Sequence, residues 1–363
     1  MAYTTIDDPS AHFQTTIYTG NDTDGTQITN SGNSDLKPDW LWIKNRTDAG
    51  DAPATGGIWD STRGFAQDKV LTSFTSNSEG QNANGFAIAT TDGFTVEDGT
   101  SGDNPRTATN KNAKNYVAWQ WKANGGTTSS NTDGDITSTV QANTTAGFSV
   151  VTYTGTGSAG TVGHGLGETP NIVIVKERGN TNSWLVQSNQ ISSVNFVTFL
   201  NRGDTGGEDD STTFNGTHPT SSVFSVGTHT GTNRSSGTYV AYCFASIKGY
   251  SKFGIYEGNN STDGTFVYTG FKPAFVMVKN IDAAYGWQML DNKRDPHNVR
   301  NQSLFANLTN AEDVTTADET DFLSNGFKNR EGGNSANDNY TYLYMAFAEH
   351  PFVSSKGVPV TAG

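Results

Sequence analysis

The chain contains one cysteine, Cys243, among its 363 residues, so an internal disulfide is excluded. It is also poor in positive charge, because 23 Lys and Arg stand against 36 Asp and Glu, which gives a formal net charge of −13. Nucleic acid and anionic lipid both attract basic surfaces, so we expect neither as a partner. No apolar run approaches the roughly 20 residues of a membrane helix, and we expect no membrane insertion.

Residues 1–13 carry neither the basic start nor the apolar run of a secretion signal, so we expect synthesis in a cytoplasm and a soluble product. Helix-favouring residues are scarce, whereas Thr, Val, Tyr, Phe and Trp favour strands, and 41 Gly together with Asn, Asp and Ser favour turns. The composition therefore predicts an all-β fold.

Motifs of reactive sites are missing as well. The six histidines are scattered without the spacing of a zinc site, and the Gly-rich stretch at 163–170 lacks the helix that a phosphate cradle needs. No pair of carboxylates recurs at matched positions along the chain. We therefore predict no catalytic residue, no cofactor and no metal site, and we interpret Cys243 as a buried, inert thiol.

Two acidic stretches leave a choice open. The stretch "NDTDGT", which contains the acidic loop 21–25, resembles part of a calcium loop but lacks the downstream glutamate, and Asp-Gly is a preferred hairpin turn. The acidic loop 204–210 is interpreted as a solvated loop. It is also the best calcium candidate in the sequence.

Four landmarks recur three times in the same order. Each copy has an aromatic strand that opens into a Gly-rich turn, a proline strand that ends in lysine, a Phe-centred strand and a Tyr-led strand. The aromatic strands start at Phe13, Phe148 and Phe253; the proline strands are "PDWLWIK", "PNIVIVK" and "PAFVMVK"; the Phe-centred strands surround Phe94, Phe224 and Phe327; and the Tyr-led strands are "YVAWQWK", "YVAYCFA" and "YLYMAFA".

The spacing of the landmarks supports three copies of one unit. From the proline to the central Phe there are 54 residues in both the second and the third copies, and from the proline to the Tyr there are 69 in both. We predict three tandem β-sandwich domains, jelly-roll-like, at 1–125, 126–247 and 248–363. We expect an elongated row in which the polar, Gly-rich linker at 123–135 leaves the first domain free to move.

Side chains of the Tyr-led strands alternate between the two faces of the strand. In the first copy Val117, Trp119 and Trp121 share one face, which predicts a half-buried strand that packs on a second sheet. The proline strands are apolar on both faces, as is typical of strands covered on both sides. Five of the seven tryptophans lie in the first copy. Aromatic rings stack on sugars, but the alternation favours core packing for Trp119 and Trp121.

The landmark series, from "DGDITSTVQANTTAGFSVVTYTGTG" through "TYVAYCFASIKGYSKFG" and "TDFLSNGFKNREGG" to "YMAFAEHPF", resembles a family of structural or tail-fibre-like proteins of tailed, mostly marine phages. The likeness includes the first copy, with "KPDWLWIKNR" and "NYVAWQWKA". The function of that family is unassigned, so the resemblance implies a virion context and supplies no catalytic residues.

The sequence thus predicts a non-enzymatic phage virion protein, displayed as a tail fibre, an appendage or a capsid decoration, and involved in virion assembly or host attachment. Its expected partners are other virion proteins and copies of itself. The alternative is a lectin-like module that binds host surface glycans.

Overall fold

The structure is a computed structural model that describes residues 3–48, 55–81, 84–100, 106–204, 206–314, 319–332 and 334–359. Its strands pair antiparallel in several sheets, which confirms the predicted all-β fold class. Within those ranges the only α-helices are the short α1 (Thr230–Asn233) and α2 (Asn334–Asn337), and none is long and apolar enough to cross a membrane.

Repeat 1, the first copy, forms two sheets, with 3-10 turns at Pro9–Ala11 and Gln67–Lys69. Its strands are β1 (Phe13–Thr19), β2 (Thr26–Ile28), β3 (Trp40–Asn45), β4 (Gly56–Asp60), β5 (Phe86–Ala89), β6 (Phe94–Glu97) and β7 (Asn115–Trp121). The larger, inner sheet has the order β1-β7-β3-β4, and the outer sheet has the order β2-β6-β5.

Repeat 2 has the same plan with extra strands at both ends of its inner sheet. Its strands are β8 (Ser129–Asn131), β9 (Ser138–Asn143), β10 (Phe148–Thr154), β11 (Gly160–Gly163), β12 (Ile172–Glu177), β13 (Leu185–Ser188), β14 (Phe196–Phe199), β15 (Glu208–Asp209), β16 (Val223–Val226) and β17 (Thr238–Phe244). The inner order is β15-β14-β13-β12-β17-β10-β9-β8, and the outer pair is β11-β16.

Repeat 3 follows the plan again. Its strands are β18 (Ser251–Glu257), β19 (Phe266–Tyr268), β20 (Phe271–Asn280), β21 (Trp287–Asp291), β22 (Gln302–Phe305), β23 (Asp313–Val314), β24 (Thr320–Leu323), β25 (Gly326–Asn329) and β26 (Thr341–Pro351). The inner order is β18-β26-β20-β21-β22-β23, and the outer order is β19-β25-β24.

In every repeat the Tyr-led strand lies between the first aromatic strand and the proline strand: β7 between β1 and β3, β17 between β10 and β12, and β26 between β18 and β20. Pro38 and Pro170 precede their strands, as expected. Pro273 does not, because it lies inside β20, where the register with β26 shifts. A bulge tolerates the missing N–H of proline.

An aromatic triad marks the outer core of each repeat and brings three landmarks together. In repeat 1, Tyr18 stacks on Tyr116 with ring centroids 5.1 Å apart and meets Phe94 edge-on at 5.9 Å. The equivalent stacks are Tyr153 on Tyr239 at 5.0 Å and Tyr256 on Tyr342 at 5.1 Å, with edge contacts to Phe224 and Phe327. Such pairs add to the stabilisation from burial.

The inner sheets are buried on both faces. One face packs on the outer sheet of the same repeat, as the predicted sandwich requires. The opposite face of all three inner sheets enters one common core, in which Trp40 contacts Tyr242 at 4.7 Å, Trp121 contacts Phe347 at 5.5 Å and Phe244 contacts Phe347 at 6.0 Å. The three repeats therefore surround a pseudo-threefold centre.

The expected elongated row with a free first domain is wrong, because a shared core holds the repeats together. Three of the hydrogen bonds between them also form a closed ring. Repeat 2 donates to repeat 1, repeat 3 to repeat 2, and repeat 1 to repeat 3. The bonds are Trp184 Nε1 to Thr72 O, Trp287 Nε1 to Phe199 O and Lys44 Nζ to Leu308 O, each 2.8 Å long.

The start of the 123–135 segment is also anchored. The backbone amides of Ala123 and Gly125 donate to Asp39 Oδ2 at 2.8 Å, and the amide of Gly126 donates to Gln141 Oε1 at 2.9 Å. The segment then continues into β8, which pairs with β9. Composition predicted a flexible linker here because it contains no information about these side-chain acceptors.

Because the core is shared, the protein is expected to unfold as one unit. Replacing Trp121 with Ala should lower the free energy of unfolding by about 3–5 kcal/mol, and calorimetry should still record a single transition. Ile88→Ala, at a side chain that is 41% exposed, is the control and should change stability little. A separate low-temperature transition for repeat 1 would contradict the shared core.

Candidate functional site

Charged side chains are concentrated at the interface between repeats 1 and 2. Asp60, at the end of β4, pairs with Arg63 at 2.5 Å, and Arg63 reaches Glu79 at 2.7 Å. From repeat 2, Arg178 binds the other oxygen of Glu79 at 2.8 Å, and the hydroxyl of Tyr242 donates to Asp60 Oδ2 at 2.8 Å. Both side chains of the Asp60–Arg63 pair are inaccessible to solvent.

The interface between repeats 3 and 1 has the same arrangement. Asp291, at the end of β21, pairs with Arg294 at 2.6 Å, and Arg294 reaches Glu312 at 2.9 Å. From repeat 1, Arg46 binds Glu312 at 2.7 Å, and Trp119 Nε1 donates to Asp291 Oδ2 at 3.1 Å. We call these two sets the interface networks.

The interface between repeats 2 and 3 carries none of the equivalent charges. Strand register places Ser188 where Asp60 and Asp291 stand, since each faces the same position of its proline strand. The equivalents of the two arginines are Ile191 and Ile281, and Met345 replaces Trp119 and Tyr242. The amides of Glu79 and Glu312 donate to the carbonyls of Arg178 and Arg46, and Gly206 lies against the equivalent carbonyl, that of Ile281. A Cβ on Gly206 would lie 2.2 Å from this carbonyl oxygen, so no glutamate fits there.

The interface networks are therefore either present or replaced as a whole. A single buried charge without its partner is costly, whereas a complete buried network or an apolar replacement is stable. Burial opposes the charge of Arg63, but the carboxylates of Asp60 and Glu79 outweigh that effect and raise its pKa. These groups bind one another across the interface, so the arrangement holds the repeats together.

The interface networks predict strongly non-additive mutations. Arg63→Met alone should destabilise the protein by about 3–5 kcal/mol, because it leaves Asp60 buried without a counter-charge and leaves Glu79 with Arg178 as its remaining partner. Converting the site to the set found between repeats 2 and 3, with Asp60→Ser, Arg63→Ile, Glu79→Gly, Arg178→Ile and Tyr242→Met, should cost less than the single change. Denaturant unfolding measures both, and additive losses would contradict this account.

Three equivalent lysines end the proline strands and are buried: Lys44, Lys176 and Lys279. Burial lowers the pKa of Lys44 to about 7 and the pKa of both Lys176 and Lys279 to about 8. Each ammonium donates to a backbone carbonyl, with Leu308, Glu177 and Tyr285 as the respective acceptors at 2.8, 2.6 and 2.6 Å.

These lysines make stability depend on pH. An ordinary lysine has a pKa of 10.5, so between about pH 7 and 10.5 the unfolded chain binds more protons than the folded chain. Stability should therefore rise with pH across this window, by about 1 kcal/mol per pH unit for each such lysine. Lys44→Met should make the slope shallower, whereas Lys37→Met, at an exposed lysine, should not. A flat profile of unfolding free energy against pH would contradict the assignment.

Cys243 lies on β17 opposite Val173 and is fully buried, as expected from its sequence context. Burial raises the pKa of its thiol to about 12, although a contact with the Ser149 side chain opposes the shift. The thiol is therefore protonated at neutral pH, and a protonated thiol is a poor nucleophile and metal ligand.

The acidic loop 21–25 is a turn held by its own side chains. Asp22 accepts a hydrogen bond from the Asn112 amide at 3.0 Å, and Asp24 accepts one from the Asp98 amide at 2.7 Å. Gly25 has a φ of +71°, which is typical of a turn glycine. The hairpin interpretation is wrong, because the loop leads from β1 in the inner sheet to β2 in the outer sheet and these two strands do not pair. The carboxylates thus have local donors.

The acidic loop 204–210 is bound in part to Arg202, which pairs with Asp204 at 3.0 Å and with Glu208 at 3.1 Å. Asp210 accepts a hydrogen bond from the Thr212 amide at 2.7 Å. Position 205 lies outside the described residues. Among the residues that are described, no group of three or more His, Cys, Asp or Glu side chains is placed to hold a metal ion.

All seven tryptophans are buried, each at most 2% exposed. Core packing is therefore correct for Trp119 and Trp121, and it holds equally for Trp40 and Trp42. The indoles are unavailable to stack on a sugar.

The interface networks were not predicted, although the sequence contains a signal for them. "DSTR" at Asp60 and "DNKR" at Asp291 share the spacing Asp-x-x-Arg at the end of equivalent strands. The middle repeat lacks the motif, so a search restricted to features present in all three copies passes over it.

Comparison with known protein families yields a match. A family model described as a domain of unknown function (DUF7483) matches residues 8–351, which include parts of all three repeats. No curated protein matches the chain.

Proposed function

The chain belongs to the family of domains of unknown function DUF7483, and on that premise we propose that it is a non-enzymatic structural protein of a phage virion. In this proposal it is displayed on the tail or the capsid surface, where it contributes to virion assembly or host attachment. The observation that carries the proposal is the closed arrangement of three repeats around one core.

That arrangement suits a structural role. A body with pseudo-threefold symmetry fits the threefold and trimeric positions that recur in symmetric particles. The shared aromatic core and the ring of hydrogen bonds between repeats make the body rigid. The virion context itself rests on the resemblance of the landmark series to phage structural proteins.

The chemistry of the side chains supports a role without catalysis. The buried carboxylates and guanidinium groups of the interface networks bind one another, and Cys243 is buried and protonated. The buried lysines donate to backbone carbonyls. Each of these groups has a structural partner and contributes to packing.

The proposal predicts that the protein is a component of assembled particles and copurifies with them. A short epitope inserted between Gly167 and Glu168, two exposed residues of the loop between β11 and β12, should be tolerated. Gold-labelled antibody against it should mark the tail or the capsid of purified particles, while untagged particles stay unlabelled. Epitope found in the lysate and absent from particles would refute the virion assignment.

One observation favours the second candidate function, glycan binding. Phe266 and Tyr268 lie two residues apart on β19, so they share a face, and they are 43% and 48% exposed. Exposed aromatic rings on one face are a common platform for sugars. A glycan array tests this candidate, with the double variant Phe266→Ala, Tyr268→Ala as the control. Equal glycan-array signals from the protein and the double variant would exclude this candidate function.

A further inference from the structure

A groove of about 160 Å³ lies between repeats 1 and 3, beside the edge strand β1. One wall is formed by Phe13, Gln14 and Thr15 of that strand. The opposite wall includes Asn292 and Lys293, which follow β21 in repeat 3.

The backbone of β1 presents free hydrogen-bonding groups on the side away from β7. The bonds Gly20 N to Lys114 O and Lys122 N to His12 O show that the even-numbered residues of β1 face β7. Thr15 and Ile17 therefore direct their N–H and C=O groups outward. Within the described ranges these groups have no hydrogen-bond partner in the protein.

At this edge one buried hydroxyl also lacks a hydrogen-bond partner, and one apolar side chain is partly exposed. Thr15 is 4% exposed, and its Oγ1 has no hydrogen-bond partner among the described residues. Ile17 leaves 43% of its surface exposed on the same edge. An open edge strand of this kind is a template for pairing with another chain.

Repeat 2 shows what covers the equivalent edge. There β9 pairs antiparallel with β10, so that Gln141 lies opposite Val150 and Thr139 lies opposite Thr152. Val150 and Thr152 are the equivalents of Thr15 and Ile17, because each pair faces the same positions of its Tyr-led strand.

The wall of the groove that contains Asn292 and Lys293 also has a counterpart beside β9. The amide of Gln141 donates to Ser61 Oγ at 2.9 Å and to Thr62 Oγ1 at 3.0 Å, which joins β9 to repeat 1. Ser61 and Thr62 follow β4 in the same way that Asn292 and Lys293 follow β21. The groove between repeats 3 and 1 is therefore the counterpart of the position that β9 fills between repeats 1 and 2.

We propose that the edge of β1 accepts an extended strand from another polypeptide, which pairs antiparallel with Thr15 and Ile17 by β-augmentation. The incoming strand is uncharged, like β9. It carries an amide side chain opposite Thr15, directed at Asn292 and Lys293, and a small or β-branched residue opposite Ile17. This binding site stands apart from the virion assignment and does not depend on it.

The corresponding edge in repeat 3 is less available. The amide of Phe253 on β18 donates a hydrogen bond to Ser246 Oγ at 3.2 Å. The carbonyl of Glu257 accepts one from Thr265 Oγ1 at 2.6 Å. Ile255, which is the equivalent of Ile17, therefore serves as an internal control position.

The test uses the full chain and a labelled synthetic peptide, ITSTVQANTT, which is the sequence of residues 136–145. We expect saturable binding, measured by fluorescence anisotropy, and amide hydrogen exchange about tenfold slower at Thr15 and Ile17 in the complex. Ile17→Pro removes an outward N–H that belongs to no ladder, so the variant should fold and lose binding. Ile255→Pro and Ile17→Ala should retain it.

Binding of a scrambled peptide with equal affinity, or undiminished binding to a folded Ile17→Pro variant, would overturn the proposal. Slower exchange at β18 in place of β1 would also overturn it, as would failure of the peptide to bind the unmodified chain. If Ile17→Pro does not fold, the exchange rates of the unmodified protein decide the question.

Discussion

Burial of both faces of the three inner sheets is the constraint on which this structure depends. A strand that is apolar on alternate positions needs one cover, but β3, β12 and β20 carry apolar side chains on both faces and need two. The outer sheet of each repeat supplies one cover. The second comes only from the other two repeats, so no inner sheet is fully covered until all three have met around the common core.

The same constraint explains why charge is found so deep in the protein. Where repeats meet at the ends of β4 and β21, an Asp-x-x-Arg turn is enclosed by the neighbouring repeat, and each charge requires a partner there. The neighbour supplies Arg178 or Arg46 and a ring donor. At the third interface all of these positions lack the charges together, and a partial set would bury an uncompensated charge.

The sequence was sufficient for the fold class, the repeated landmarks and the alternation of Trp119 and Trp121, because these follow from local periodicity. It was insufficient for the arrangement of the repeats. Apolar residues on the second face of β3 predict a cover but do not say which segment provides it. The interface networks include contacts between residues more than 100 positions apart, such as Asp60 and Tyr242. The role of β9 likewise depends on a contact, because it covers the edge of β10. Such long-range pairings leave no local period to detect.

Because the three repeats belong to one polypeptide, they can be arranged symmetrically without having identical sequences. In an assembly of three identical chains, every substitution appears three times, and a change that suits one interface is imposed on the others. Here each third of the ring is encoded separately. One junction can therefore lack the charges that the other two carry, and one sheet edge can be covered by β9 while its counterpart, β1, is open. Because the three units are joined in one chain, the three sides of the body differ from one another, whereas the three sides of a true threefold trimer are equivalent.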